Sequence, residues 1–154
     1  MAETIHGTAV LAGANGVLVR GASGAGKSGL AAALIERGAR LIADDGVHVA
    51  ARNGRLLVSA PGAIAGQMEM RGRGIERFPH ERSAVIRLVV DIVPADAFER
   101  MPEPSQMSAE ISGISLPRQI VTGDVQKAVM LVGTALEALS PHRNINLRPE
   151  KLWG

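Results

Sequence analysis

Short apolar runs separated by glycine-rich turns dominate the first half of the chain, and one stretch of helical character stands among them. Thr8–Leu11 and Val17–Arg20 are joined by a Gly/Asn-rich stretch ending in Asn15-Gly16. That pattern predicts a β-hairpin, because Asn and Gly tolerate the positive φ of a tight turn. The second run leads straight into a glycine-rich loop, Gly21–Ser28. Ser28–Arg37 (SGLAAALIER) follows, rich in helix formers, with Gly38 positioned to end the helix. Arg40–Ala43 reads as a short strand ending in Asp44-Asp45-Gly46. Val47–Arg52 and Arg55–Val58 predict a second hairpin around Asn53-Gly54.

The second half is less regular. Pro61–Arg82, with several glycines and arginines, predicts a loop with room for one short element. Ser83–Val93 (SAVIRLVVDIV) is a near-continuous branched aliphatic run, as expected of a buried strand. Ala95–Ser108, broken by Pro102 and Pro104, predicts irregular chain. Ile111–Val121 gives one or two short strands interrupted by Gly113 and Pro117. Asp124–Leu139 carries Val125, Val129, Val132, Leu136 and Leu139 at helical spacing, with Thr122 or Asp124 as the cap. The polar tail Pro141–Gly154 has only Leu152 and Trp153 to dock it. The 154 residues contain no internal repeat and fit one domain.

The loop Gly21-Ala22-Ser23-Gly24-Ala25-Gly26-Lys27-Ser28 matches the phosphate-binding pattern G-x-x-x-x-G-K-S at every fixed position. Its glycines let the backbone form a cradle of inward N–H groups, and the helix behind it offers its positive end to the same anion. Lys27 would reach the β- and γ-phosphates of ATP, and the Ser28 hydroxyl would ligate Mg²⁺. A strand-like run before the loop and a helix-like run after it supply the context the motif needs. No Asn-Lys-x-Asp run accompanies it, which weighs against a GTPase.

Composition narrows the function classes. Hydrophobic residues are 46% and charged residues 21%, an ordinary globular balance. Aromatics are only 2% (Phe78, Phe98, Trp153), so the core is aliphatic and the stacking platforms of a single-stranded nucleic-acid binder are missing. Net charge is +2 without dense basic runs, which argues against nucleic-acid and membrane-surface partners. With no cysteine, disulfides and thiolate chemistry are excluded. No apolar run approaches membrane-spanning length and no leader is evident, so a cytoplasmic location is the expectation.

Phosphoryl transfer beside such a loop needs a carboxylate for the metal and one to accept the proton of the attacking hydroxyl. Two candidates compete: Asp44-Asp45 after Leu41-Ile42-Ala43, and Asp91 after Leu88-Val89-Val90. Asp91 fits the usual aliphatic-run pattern slightly better, yet reads more simply as a surface charge at a strand end. Adjacent carboxylates at 44 and 45 offer two roles, if the turn begun by Gly46 lets both reach one site. Arg71, Arg73 and Arg77 suggest a loop that meets phosphate or an acidic surface.

His6-Gly7, Gly21–Ser28, Arg40-Leu41-Ile42-Ala43-Asp44-Asp45 and Met68-Glu69-Met70-Arg71-Gly72-Arg73-Gly74-Ile75 occur in the order and approximate spacing of HPr kinase/phosphorylase. Leu116-Pro117 resembles that family's C-terminal region, so the resemblance covers about residues 5–121. It implies a single α/β P-loop domain with a mixed sheet, similar to the phosphoenolpyruvate carboxykinase nucleotide-binding fold and usually assembled as a hexamer. It implies an ATP- and Mg²⁺-dependent kinase for a serine of HPr, the carrier protein of the sugar phosphotransferase system. The reverse reaction would use inorganic phosphate and yield pyrophosphate. By the same resemblance Lys27 holds phosphates, Ser28 and Glu69 serve Mg²⁺, and Asp44 and Asp45 supply metal binding and the general base. His6 lies beside the reacting phosphate, and Arg71 holds the active site and substrate.

Two departures stand out. The chain begins almost at His6-Gly7, which implies a short form made of the catalytic domain alone. Thr122-Gly123-Asp124-Val125-Gln126-Lys127 also differs from the family's Pro-Gly-Arg-Asn run, so an arginine is missing or replaced by Lys127, which bears on phosphorylase activity. A small-molecule kinase and a nucleotide-sensing module with little turnover are the alternative readings.

Overall fold

The computed structural model describes residues 2–62 and 65–139. The predicted tail Pro141–Gly154, with Leu152 and Trp153, lies outside the described residues. Eleven strands are present among the described residues: β1 Ala2–Ile5, β2 Thr8–Ala12, β3 Asn15–Arg20, β4 Arg40–Ala43, β5 Val47–Arg52, β6 Arg55–Ser59, β7 Gln67–Met70, β8 Gly74–Arg77, β9 Ser83–Ile92, β10 Ser108–Ile111 and β11 Ile114–Val121. Helix α1 spans Lys27–Glu36 and α2 spans Val125–Ala138.

The main sheet is mixed, in the order β1-β5-β6-β9-β3-β2-β4. Strand β9 is its spine. It runs parallel to β3 on one side; on the other, its first half pairs with β6 antiparallel and its second half with β11 in parallel. Near-continuous apolar sequence suits a strand covered on both faces, and β9 is buried at six of its last seven positions. One face carries Val17, Val19, Leu88, Val90 and Val121 against Leu30 and Leu34 of α1 and Val129, Val132 and Leu136 of α2. On the other, the sheet curls so that Val47, Val49, Leu56 and Val58 pack with Leu18, Ile42 and Val89. At roughly 1.5–3 kcal/mol for each fully buried aliphatic side chain, these two layers supply the main stabilisation.

The helix at Asp124–Leu139 forms as expected, and Asp124 rather than Thr122 is its cap: the Asp124 carboxylate accepts from the Lys127 N–H at 3.3 Å. The second hairpin turns at Asn53-Gly54, both with positive φ (52° and 74°). The first hairpin differs from expectation. Its register pairs Ala12 with Asn15, so the turn is Gly13-Ala14, and Asn15-Gly16 begin the strand. Gly16 is needed for a close approach instead: a Cβ there would sit 2.4 Å from the Val85 carbonyl oxygen.

Pro61–Arg82 is more ordered than a loop. β7 and β8 form a two-stranded ribbon, anchored by Met68, which is buried against the α1 layer. Short strands with mixed polarity carry little period-2 signal, which is why the sequence conceals them. Pro117 does not interrupt β11, because it sits where β11 leaves β10 and its pairing with β9 begins at Arg118.

Gly16→Ala is therefore expected to cost about 1–3 kcal/mol by overpacking two backbones. Gly13→Ala, with open space around it but φ 64°, should cost nearer 1 kcal/mol. Denaturant midpoints of the two variants decide this, and equal losses would contradict the close-approach explanation.

Candidate active site

Three strand ends and one helix start converge on the loop. β3 ends at Arg20 and the chain enters Gly21, where a Cβ would lie 3.2 Å from the Ile92 carbonyl oxygen and from the Ala25 Cβ. Gly24 and Gly26 take φ of 81° and 110°, conformations open to glycine, and Gly26 caps α1 with its carbonyl accepting from the Leu30 N–H. Lys27 is 7% exposed. Its Nζ donates to the carbonyls of Gly21 (2.8 Å) and Ala22 (3.0 Å), and no carboxylate pairs with it among the described residues. A buried ammonium held only by neutral carbonyls is short of negative charge. Together with the helix start behind it, the loop suits a phosphate group.

Beside the loop, one carboxylate oxygen collects two hydroxyls. Ser28 Oγ donates to Asp44 Oδ1 at 2.8 Å, and Thr8 Oγ1, fully buried, donates to the same oxygen at 2.9 Å. The register explains it. β2 pairs with β4 through Val10 and Leu41, then through Ala9 and Ala43, leaving Ile42 as a one-residue bulge. That bulge turns Asp44 opposite Thr8; an unbulged β4 would bring Ala43 there.

Asp45 points elsewhere. It adopts φ 62°, the left-handed region that Asp tolerates, and is exposed. Its Oδ1 lies 3.6 Å from His6 Nδ1, beyond hydrogen-bond length but close enough to pair with an imidazolium. Antiparallel pairing of β1 with β5, Ile5 against Val47, carries His6 to the turn that holds Asp45. The adjacent carboxylates thus serve opposite neighbours: Asp44 faces the Ser28 hydroxyl and Asp45 faces His6.

Arg71, at the tip of the β7–β8 ribbon, reaches the loop; its Nη2 lies 4.0 Å from where a Gly24 Cβ would stand. Glu69 is exposed on β7, between Met68 and Met70, which pack on the α1 side. No three Asp, Glu or His side chains converge as a metal cluster among the described residues, so Glu69, Asp44 and Asp45 do not form a preassembled ligand set. A donor set of one hydroxyl and one carboxylate still fits Mg²⁺, which keeps several waters and takes few protein oxygens. Ser28 donates its proton to Asp44, leaving its oxygen lone pairs for a cation. A separate cavity of about 510 Å³ opens at the far end of the sheet, between Asn15, Arg55, Arg87 and Ser115, away from this chemistry.

Asp91 is no surface charge. It is 8% exposed and gripped by two arginines: Arg20 bidentately (Nε 2.8 Å, Nη2 2.9 Å) and Arg118 through Nε. Burial alone would raise the Asp91 pKa. The hydrogen bonds and charges of Arg20 and Arg118 outweigh it and hold the carboxyl below its usual range. The Asp91 carboxylate in turn raises Arg20. Sequence reasoning missed Arg20, Arg118 and Thr8 because their meeting depends on strand register, and nothing in local spacing announces it.

Fold and loop together define a P-loop α/β domain with a mixed sheet. The family model for the HPr Serine kinase C-terminal domain matches residues 1–144. The chain belongs to that family. Curated relatives called HPr kinase/phosphorylase include one from Clostridium tetani, 44% identical over 75 residues, covering 49% of this chain and 25% of that protein. Another, from Lactobacillus acidophilus, is 31% identical over 161 residues, covering 97% of this chain and 48% of that protein. The chain thus spans half or less of the length of these two relatives. The solved Hpr(Ser) kinase/phosphatase of Coxiella burnetii superposes with a TM-score of 0.76 at 24% identity, covering 90% of this chain and 99% of that one. That likeness shows the fold, a mixed α/β sheet of the phosphoenolpyruvate carboxykinase-like type.

A depressed Asp91 pKa contributes stability that is present above the unfolded carboxyl value, about 3.9, and lost as pH falls through the lower folded value. Asp91→Asn should cost about 3 kcal/mol at neutral pH. Denaturation at a series of pH values should show that deficit shrinking as pH falls below about 4. A deficit that stays constant down to acid pH would contradict the ion-pair origin.

Proposed function

We propose that this chain transfers the γ-phosphoryl group of MgATP to a serine hydroxyl of HPr, and that the same site returns it to inorganic phosphate as pyrophosphate. The observation that carries the reading is the buried Lys27 ammonium, with no acid partner among the described residues, in a glycine-rich loop one residue from the Ser28–Asp44 pair. Membership of the HPr serine kinase C-terminal domain family supports the acceptor, and the relatives' name, kinase/phosphorylase, supports the two directions.

On this reading the loop N–H groups and Lys27 hold the β- and γ-phosphates. Ser28 and Asp44 hold Mg²⁺, which when bound neutralises phosphate charge. Glu69, exposed on β7, would share that role by the family resemblance. Asp45 is the general base. As the acceptor serine oxygen forms its bond to the γ-phosphorus, the bond to the β–γ bridging oxygen breaks, ADP leaves, and the serine proton passes to Asp45. In reverse, an oxygen of inorganic phosphate bonds to the phosphorus of phosphoserine, the bond from that phosphorus to the serine oxygen breaks, Asp45 returns the proton to the serine oxygen, and pyrophosphate is released. His6 orients the Asp45 carboxylate, and Arg71 pairs with phosphate oxygens over Gly24. The tip position and exposure of Arg71 suit a group that closes on substrate.

Intact-mass spectrometry of HPr after incubation with the protein, ATP and Mg²⁺ tests this directly. One added phosphoryl group on a serine is expected, absent with Lys27→Ala and about 10²–10⁴ slower with Asp45→Asn while ATP binding survives. Unchanged HPr with ATP binding intact would move the acceptor to another molecule or leave a nucleotide sensor.

A further inference from the structure

The proposed chemistry makes no use of Arg20, Asp91 or Arg118, yet a carboxylate this buried with two guanidiniums is costly to assemble. Desolvating the three groups offsets much of their attraction, so such a triad is a poor stabiliser compared with apolar packing. Its position offers another reason. Arg20 is the last residue of β3, and its peptide joins it to Gly21, the first residue of the phosphate loop. Asp91 is its register partner on β9, and Arg118 reaches the same carboxylate from β11. These are the three parallel strands of the sheet, held at the end from which the loop springs.

Further contacts tie the triad to the site. The Gly21 carbonyl accepts from Lys27 Nζ, so the residue after Arg20 sets the position of that ammonium. The residue after Asp91, Ile92, packs its carbonyl under Gly21, where even one methyl would come within 3.2 Å. The Arg20 stem passes 4.0 Å from where a Gly7 Cβ would stand, next to His6. Arg118 also donates Nη1 to the Gln106 carbonyl at 3.3 Å, fastening the segment between β9 and β10 to the same carboxylate.

We propose that Asp91 is a positioning residue: through Arg20 it fixes the entry of the phosphate loop, and with it Gly21 and the Lys27 ammonium, for the β- and γ-phosphates. The role rests on the nucleotide-binding part of the function proposed above and adds residues that the phosphate motif does not contain. Arg20 is suited to it because a planar fork bound bidentately fixes orientation as well as distance; a lysine ammonium would keep the charge and lose the orientation. The loop glycines leave the backbone free to shift, so an external brace has something to hold.

The test is the affinity of the full chain for MgATP, measured by titration calorimetry at a temperature where every variant is folded by circular dichroism. Asp91→Asn and Arg20→Lys should each weaken binding about ten- to a hundredfold, in line with the cost of small misplacements at a preorganised site. Asp91→Glu, which keeps the carboxylate, should recover most of the loss. Leu56→Ala serves as the stability control: it opens a cavity in the far layer at a cost of about 2–5 kcal/mol and should leave affinity unchanged. Wild-type affinity in both Asp91→Asn and Arg20→Lys would overturn the positioning role while leaving the phosphotransfer reading intact. Equal weakening by Leu56→Ala would also overturn it, reducing the triad to a structural brace. A wild-type chain that bound no nucleotide would sink both.

Discussion

One oxygen atom, Asp44 Oδ1, is the point on which the site depends. It accepts from Thr8 on β2 and from Ser28 at the start of α1, and it belongs to the residue that leaves β4. Without the one-residue bulge at Ile42 the sheet would offer alanine at that place, and both hydroxyls would lose their acceptor. Thr8 has no access to water to replace it, so among the described residues its buried hydroxyl is satisfied through this bond. The first hairpin, the loop it carries and the helix behind the loop are therefore fixed relative to one carboxylate. That same carboxylate accepts the Ser28 proton in a hydrogen bond, so the Ser28 oxygen keeps its lone pairs for a cation.

The charged groups around the loop fall into two kinds, and the difference separates structure from chemistry. Arg20 and Arg118 already have an acid partner: both share the Asp91 carboxylate, and Arg118 donates as well to the Gln106 carbonyl. Lys27 is unsaturated, buried against carbonyls with no counter-charge among the described residues. A cation of the first kind stiffens its surroundings. One of the second kind has capacity left for an anion, and its position one residue before Ser28 makes a phosphate with its metal the natural complement. Asp45 and His6, on the exposed side of the same turn, stand where an incoming hydroxyl has access.

The phosphate loop was legible because its glycines, lysine and serine are consecutive and each residue type has a local reason. β9, α2 and the Asn53-Gly54 hairpin were legible for the same cause: an apolar run, a 3.6-residue period and a turn dipeptide are local signals. What depended on register was not. Asn15-Gly16 looked like a turn, yet Gly16 serves a backbone contact with Val85 that only sheet order creates. Asp91 looked like a solvated strand end until β3 and β11 brought arginines to it from 71 and 27 residues away. The sequence favoured Asp44-Asp45 over Asp91 through family resemblance, and without it had no means of dividing the pair between Ser28 and His6. The ribbon at residues 67–77 escaped because its strands are four residues each and only Met68 is buried.

The most direct test of this organisation is the Mg²⁺ dependence of ATP binding in Asp44→Asn, measured by calorimetry with and without the metal. In the wild type, Mg²⁺ should tighten ATP binding, because in the proposed mechanism Ser28 and Asp44 supply its oxygens beside the phosphates. In Asp44→Asn that increment should vanish, while metal-free ATP still binds through the loop and Lys27. An undiminished Mg²⁺ increment in the variant would contradict the central place given to Asp44.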